Sequence, residues 1–138
     1  MANILLIEPL QSVARQIMAR LFKDGHNYQW SISGQQGART WSSDKNKFDV
    51  LIMNFETDDL NATEVLADLL GSNRVPQHTV IYLDASATPS MLADLAQELV
   101  PLIPPEKQVV LLLKGGDFAL KLRLAIASVR ATKQEQEV

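Results

Sequence analysis

Cysteine is absent from all 138 residues. That removes disulfides, thiolate metal sites and cysteine nucleophiles together, and agrees with a reducing compartment. Long apolar runs are missing as well. None approaches the roughly 20 residues needed to span a bilayer, and the opening MANILLIEPL has no basic leader and too short an apolar stretch for export. There is no dense Lys/Arg cluster able to neutralise a row of phosphates, and the formal net charge is −3, so neither membrane nor direct nucleic-acid contact is expected. SGQQG and KGGD lack the Lys-Ser/Thr sequel of a P-loop, and no serine has a G-x-S-x-G setting, so turns or helix starts account for those glycines. His26 and His78 stand alone, without ligand spacing, and are expected at the surface or in packing. These absences leave a soluble, cytoplasmic, non-enzymatic domain with no cofactor as the expectation.

What is present is a globular composition, 46% hydrophobic and 21% charged, in a chain long enough to close one substantial core. Strand-like and helix-like signals alternate throughout. NILLI at 3–7 is a short apolar run of the kind buried on both faces. Over 10–23, Val13, Ile17 and Leu21 recur at helical spacing with Ala14 and Met18 beside them. YQWSI at 28–32 alternates and suits an edge strand, and a weaker helix lies between Ser33 and the polar stretch at 42–46. FDVLIMN is the third strand, ending on an amide, Asn54. A third helix covers about 61–71, with Asn61 as N-cap and Gly71 as terminator. TVIYL at 79–83 is followed by a helix over about 89–100 that opens on Pro89. VVLLL at 109–113 precedes a last helix from about Asp117 that buries Phe118, Leu122, Ile126 (or Ala125) and Val129. Residues 1–130 are expected to form the domain, with 131–138 a polar tail or the start of a linker.

Five such units with continuous apolar strands require an α/β fold: a parallel sheet with helices on both faces. The residues to inspect are those just after each strand, where such sheets bind ligands. ILLIEP, FDVLIMN, VIYLDA and LLLKGGDF, in that order over about residues 2–130, resemble the signature segments of receiver domains of two-component response regulators. The resemblance implies the flavodoxin-like (βα)5 receiver fold with strand order 2-1-3-4-5. In that family an acidic pair and the Asp ending strand three hold Mg²⁺, that Asp accepts a phosphoryl group, and a Thr/Ser and a Lys bind its oxygens.

Mapped residue by residue, the resemblance implies a degenerate phosphoacceptor pocket of Glu8, Pro9, Asn54, Asp84 and Lys114. Pro9 replaces the second acid, Asn54 the acceptor, and Asp84 the Thr/Ser; Lys114 matches. Gly115 replaces the proline that commonly follows, and Leu111 stands where the family carries an aromatic switch. The implied function is a receiver-like signalling module that acts through protein contacts, independent of aspartyl phosphorylation. Its alternatives are a receiver that still binds a cation or phosphate, and an unrelated flavodoxin-like domain that binds a small ligand. No metal is assigned; a residual site would have to come from Glu8, Asn54 and Asp84, since Mg²⁺ accepts few protein ligands plus waters.

The residues also carry plainer readings. Asn54 reads first as the polar end of a buried strand, hydrogen-bonded to neighbouring backbone. Asp84 beside Lys114 suggests an internal ion pair. Trp30, Trp41, Met18 and Met91 read as packing residues. VPLIPPEKQ at 100–108 is longer than the family's segment and stiffened by three prolines. It reads as a rigid cap on the core or, with Leu102, Ile103 and Leu111, as a contact surface. That surface would take a protein partner, an output domain, or a second copy docking on the face of helix four, strand five and helix five, which the family commonly uses.

Overall fold

The computed structural model describes residues 2–43 and 48–137, with side chains as far as position 128. The elements are β1 (Asn3–Ile7), α1 (Gln11–Lys23), β2 (Asn27–Ser31), α2 (Gly34–Ser42), β3 (Val50–Asn54), α3 (Ala62–Gly71), β4 (His78–Asp84), α4 (Pro89–Leu99), a 3₁₀ turn (Val100–Leu102), β5 (Gln108–Lys114) and α5 (Phe118–Glu137). All strands pair in parallel in the order β2-β1-β3-β4-β5, the expected flavodoxin-like architecture. The burial expected of Val129 and the polar stretch from 44 fall outside the described residues.

Strand chemistry follows position in the sheet. β1 and β3 are central, and their side chains are buried on both faces over Ile4–Ile7 and Val50–Met53, which is why they read as unbroken apolar runs. β2 is an edge with only Ser31 buried and Trp30 half-buried. β5, the other edge, is half-exposed along most of its length although its sequence is as apolar as β1. Two cores result. One joins Ile4, Leu6, Ile52, Val80 and Tyr82 to α1 and α5; the other joins Leu5, Ile7, Leu51, Met53 and Ile81 to α2, α3 and α4. Gly37 sits where α2 crosses β1, and a Cβ there would run into the Ile7 side chain.

Helix ends explain the connections. α1 closes with Gly25 at φ +81, its N–H donating to Phe22 O while His26 N–H reaches back to Leu21 O, the paired bonds of a Schellman end. α3 repeats the pattern with Asn73 at φ 58, Asn73 N–H donating to Leu70 O and Arg74 N–H to Leu69 O. Gly71, expected to stop that helix, is its last residue, and the left-handed step falls on Asn73 instead. Asn61 and Glu64 form a full capping box at the start of α3. The last helix continues through Glu137; TKQEQE contains neither Gly nor Pro, and its residues favour helix once one is propagating.

Candidate functional site

The carboxyl ends of β1, β3, β4 and β5 meet at one edge of the sheet, where this class of fold makes its crevice. Here the crevice is a cleft of about 540 Å³ whose lining includes Pro9, Asn54, Asp84 and Lys114. Four of the five residues singled out in the sequence therefore face one space. The fifth, Glu8, lies beneath it and is fully buried.

Every polar group of Glu8 has a partner. Its N–H donates to Ser31 O at 3.1 Å, and its carbonyl accepts from Trp30 Nε1 at 2.8 Å. In the side chain, Oε1 accepts from the Tyr82 hydroxyl at 2.7 Å and from Asn54 Nδ2 at 3.1 Å. Oε2 accepts from Leu10 N–H at 2.8 Å. Pro9 has no N–H to offer, so the carboxylate reaches past it to the N-cap residue of α1. A buried carboxylate is tolerable only with donors of this kind.

Asn54 is held from both ends of its amide: Nδ2 donates to Glu8, and Oδ1 accepts from Glu56 N–H at 3.1 Å. The backbone partner expected for it is present, and a buried carboxylate is added. An aspartate here could keep the second bond but would turn an oxygen toward the first.

Tyr82 was not singled out in the sequence. Burial, and then the hydrogen bond and charge of Glu8, push its hydroxyl far above the ordinary value of 10.0, so it remains a donor. Its ring meets Phe118 edge-on with centroids 5.3 Å apart. The signal existed: alternate residues of a strand share a face, so Tyr82 lies on the face of Asp84, and a buried phenol needs a polar partner.

Asp84 and Lys114 are register partners, yet they form no ion pair among the described residues. The expected pair is corrected: Asp84 is exposed, and its Oδ1 accepts from Ser86 N–H at 3.0 Å, closing the local turn that Asp side chains favour at a strand end. With Glu56 and Asp58 also lining the cleft, three carboxylates face one ammonium, a poor setting for a phosphoryl group.

The wall between β3 and α3 is fixed by Asp59, also missed in the sequence. It accepts from Gly34 N–H and Gln35 N–H, both at 2.9 Å, and from the Thr57 hydroxyl at 3.0 Å. Burial raises its carboxyl, but the Gln35, Leu60 and Gly34 amides and the Thr57 hydroxyl outweigh that and hold it at about 2.

A second concavity, about 480 Å³, lies between α4, the turn after it and β5. Ile103 and Leu111 line it with Val100, Pro104, Pro105 and Val109. Leu102 does not line it; it packs against the core beneath α2, α3 and α4. Val100 at the rim is 74% exposed.

The cation-site residues do not fit Mg²⁺. Glu8 is sealed under the cleft with both oxygens accepting, Asn54 Oδ1 takes the Glu56 amide, and Asp84 Oδ1 takes the Ser86 amide. No group of three His, Cys, Asp or Glu among the described residues is placed to hold a metal ion.

Solved structures share this architecture along nearly the whole chain. A response regulator receiver domain protein from Clostridium thermocellum superposes with a TM-score of 0.76 at 21% identity, covering 99% of each chain. The fold is the receiver fold. The chemotaxis protein CheY4 of Vibrio cholerae gives 0.71 at 16% identity, over 94% of this chain and 98% of that one. The Borrelia burgdorferi CheX-CheY-BeF3-Mg²⁺ complex gives 0.72 at 12%, over 93% and 88%. No protein-family model and no curated protein sequence matches the chain. Likeness at this identity carries the fold alone.

Proposed function

We propose that this chain is a receiver-fold signalling module that works through protein contacts and takes no phosphoryl group at the end of β3. The observation that carries this reading is the Asn54 amide. It supplies no carboxylate nucleophile, and its nitrogen is committed to Glu8. The acidic lining of the cleft supports the same reading, because charge that should stabilise a transferring phosphoryl group is opposed. The module has no catalytic residues and no cofactor, and it works in the cytoplasm; among the described residues no helix is long and apolar enough to cross a membrane. Its globular unit is residues 1–130, followed by the polar 131–138 as a tail or the start of a linker.

The contact surface is the groove beside β5, built from Val100, Ile103 and Leu111, and it receives a protein partner, an output domain or a second copy on the face of α4, β5 and α5. One neighbour sharing the fold is described in complex with another protein, which makes such contact a natural use of the scaffold. The test is acetyl phosphate and beryllofluoride with Mg²⁺, followed by intact mass and amide NMR. Neither reagent is expected to add mass or move the resonances of Asn54, Asp84 and Lys114. A phosphoryl adduct, or a beryllofluoride-dependent shift at these residues, overturns the reading.

A further inference from the structure

The cleft disagrees with the cation its fold implies, and the disagreement has a specific structural basis. Among the described residues Glu8 is the only fully buried carboxylate, and a lone buried carboxylate needs a counterpart. Two groups converge on the same oxygen, Oε1: the Tyr82 hydroxyl at 2.7 Å from β4 and Asn54 Nδ2 at 3.1 Å from β3. A third, Leu10 N–H, satisfies Oε2 from the start of α1. Three segments are thus tied to one side chain, the geometry a bound ion imposes on its ligands.

We infer that Tyr82 and Asn54 together take the place of a divalent cation as the counterpart of Glu8, so that the chain's own donors set the cleft permanently. The inference deepens the reading of the cleft as one that accepts no phosphoryl group. It makes Tyr82 a positioning residue: it fixes Glu8 on one side and, through its ring, the Phe118 end of α5 on the other. The cleft then has one arrangement, and no ion is needed to close it.

The test is a Mg²⁺ titration of the full chain as wild type, as Tyr82→Phe and as Tyr82→Phe/Asn54→Asp, read by thermal melting and amide NMR. In the wild type, Mg²⁺ should leave the melting temperature, the Leu10 amide and the Asn54 side-chain amide unmoved. Tyr82→Phe keeps the ring and its contact with Phe118 but strips one donor from Glu8. It should melt about 5–10 °C lower whether or not Mg²⁺ is present. The double variant restores a pair of carboxylates with no donor between them. It should melt lower still in chelator and recover part of that loss in millimolar Mg²⁺, with the Leu10 amide shifting. Wild-type resonances at Leu10 or Asn54 that titrate with Mg²⁺ overturn the inference, as does a Tyr82→Phe variant that melts with the wild type. A folded double variant indifferent to Mg²⁺ overturns it too; if that variant does not fold, the first two measurements decide. A Mg²⁺ response in the wild type without a beryllofluoride response breaks this inference alone, whereas a beryllofluoride response breaks the proposed function.

Discussion

The cleft at the strand ends and the groove beside β5 are of similar size, about 540 and 480 Å³, but their chemistry is opposed. The cleft is polar, and Glu8, Asn54 and Asp84 at its strand ends all bond to other parts of the same chain. The groove is apolar, and Val100 and Leu111 are left partly in water. Covering apolar surface is favourable at roughly 25 cal/mol per Å², whereas displacing satisfied hydrogen bonds returns little net free energy. On the proposed reading, binding free energy therefore lies beside β5, while Glu8, Asn54 and Asp84 serve internal order. Both regions agree with the proposed reading, a contact module that takes no phosphoryl group.

The largest effect should come from breaking the cleft's internal order. Asn54→Asp exchanges the donor to Glu8 for a second carboxylate at hydrogen-bond distance. The variant should be less stable by about 2–4 kcal/mol at neutral pH, measured by urea denaturation. Acidification should shrink the deficit relative to wild type, because one proton shared by the two carboxylates relieves the repulsion. A deficit independent of pH would mean that the lost donor matters and the repulsion does not.

Groove and core can be separated by two neighbouring residues. Val100→Ser changes a side chain that is 74% exposed. Stability should stay within about 0.5 kcal/mol, while self-association or partner affinity falls about tenfold, in line with losing one apolar anchor at an interface. Leu102→Ser should do the reverse, costing about 1–3 kcal/mol of stability with affinity unchanged for the protein that remains folded. Sedimentation and chemical denaturation on the same samples decide. If both substitutions weaken association equally, the contact surface extends beyond the groove.

Much of this layout could be read from the chain, and what could not has a common cause. Periodicity places the strands and helices to within a residue or two, because β1 and β3 are buried on both faces and α1 carries a clean stripe of Val13, Ile17 and Leu21. The exception is the end of α5, which runs on through Glu137 where a polar tail is expected from 131. The positions of Asn54, Asp84 and Lys114 at strand ends follow from the same pattern. Their partners do not. Glu8 meets Tyr82 across 74 residues and Asn54 across 46, and only the strand order brings those ends together. Asp84 and Lys114 are neighbours in register, yet Asp84 takes the backbone amide two residues ahead. A local turn competes well with a long, flexible lysine at the surface. Leu102 and Ile103 look alike in sequence and both pack against the same core, but beyond the 3₁₀ turn ending at Leu102 only Ile103 also lines the groove.

Asp59 tests how firmly the cleft wall is held. Its carboxylate serves two amides at the start of α2, so Asp59→Ala should cost about 1 kcal/mol, as for the loss of a helix cap. The pH dependence has a definite sign. The folded-state value is held at about 2, below the ordinary value of 3.8, so this contribution is complete above 3.8 and is lost as pH falls toward 2. Wild type and Asp59→Ala should therefore converge in stability at the acid end of that window. A gap that persists to the lowest pH would mean that packing, not the charged bonds, holds the loop.

The smallest effect belongs to the foot of the groove. His78 opens β4, is almost wholly buried, and bonds through Nδ1 to Gln108 Oε1 at 3.1 Å, tying β4 to the first residue of β5. Burial lowers its folded-state pKa below 6.5, the Gln108 bond and the Asp49 charge offsetting only part of that. The folded form then binds fewer protons than the unfolded form as pH drops below 6.5, so His78 favours folding above that value and opposes it progressively below. Urea midpoints compared at about pH 7.5 and about pH 5.5 should fall slightly toward acid in the wild type, and less so in His78→Gln. The shift should concentrate in β5, because its outer edge has no further strand to hold it once the link to Gln108 is charged. Amide exchange at Val109 and Val110 should accelerate toward acid relative to Leu51 and Ile52, once the intrinsic pH dependence of exchange is removed. Equal protection changes in both strands would show that the sheet responds as a unit, and that the edge beside the groove is no looser than its centre.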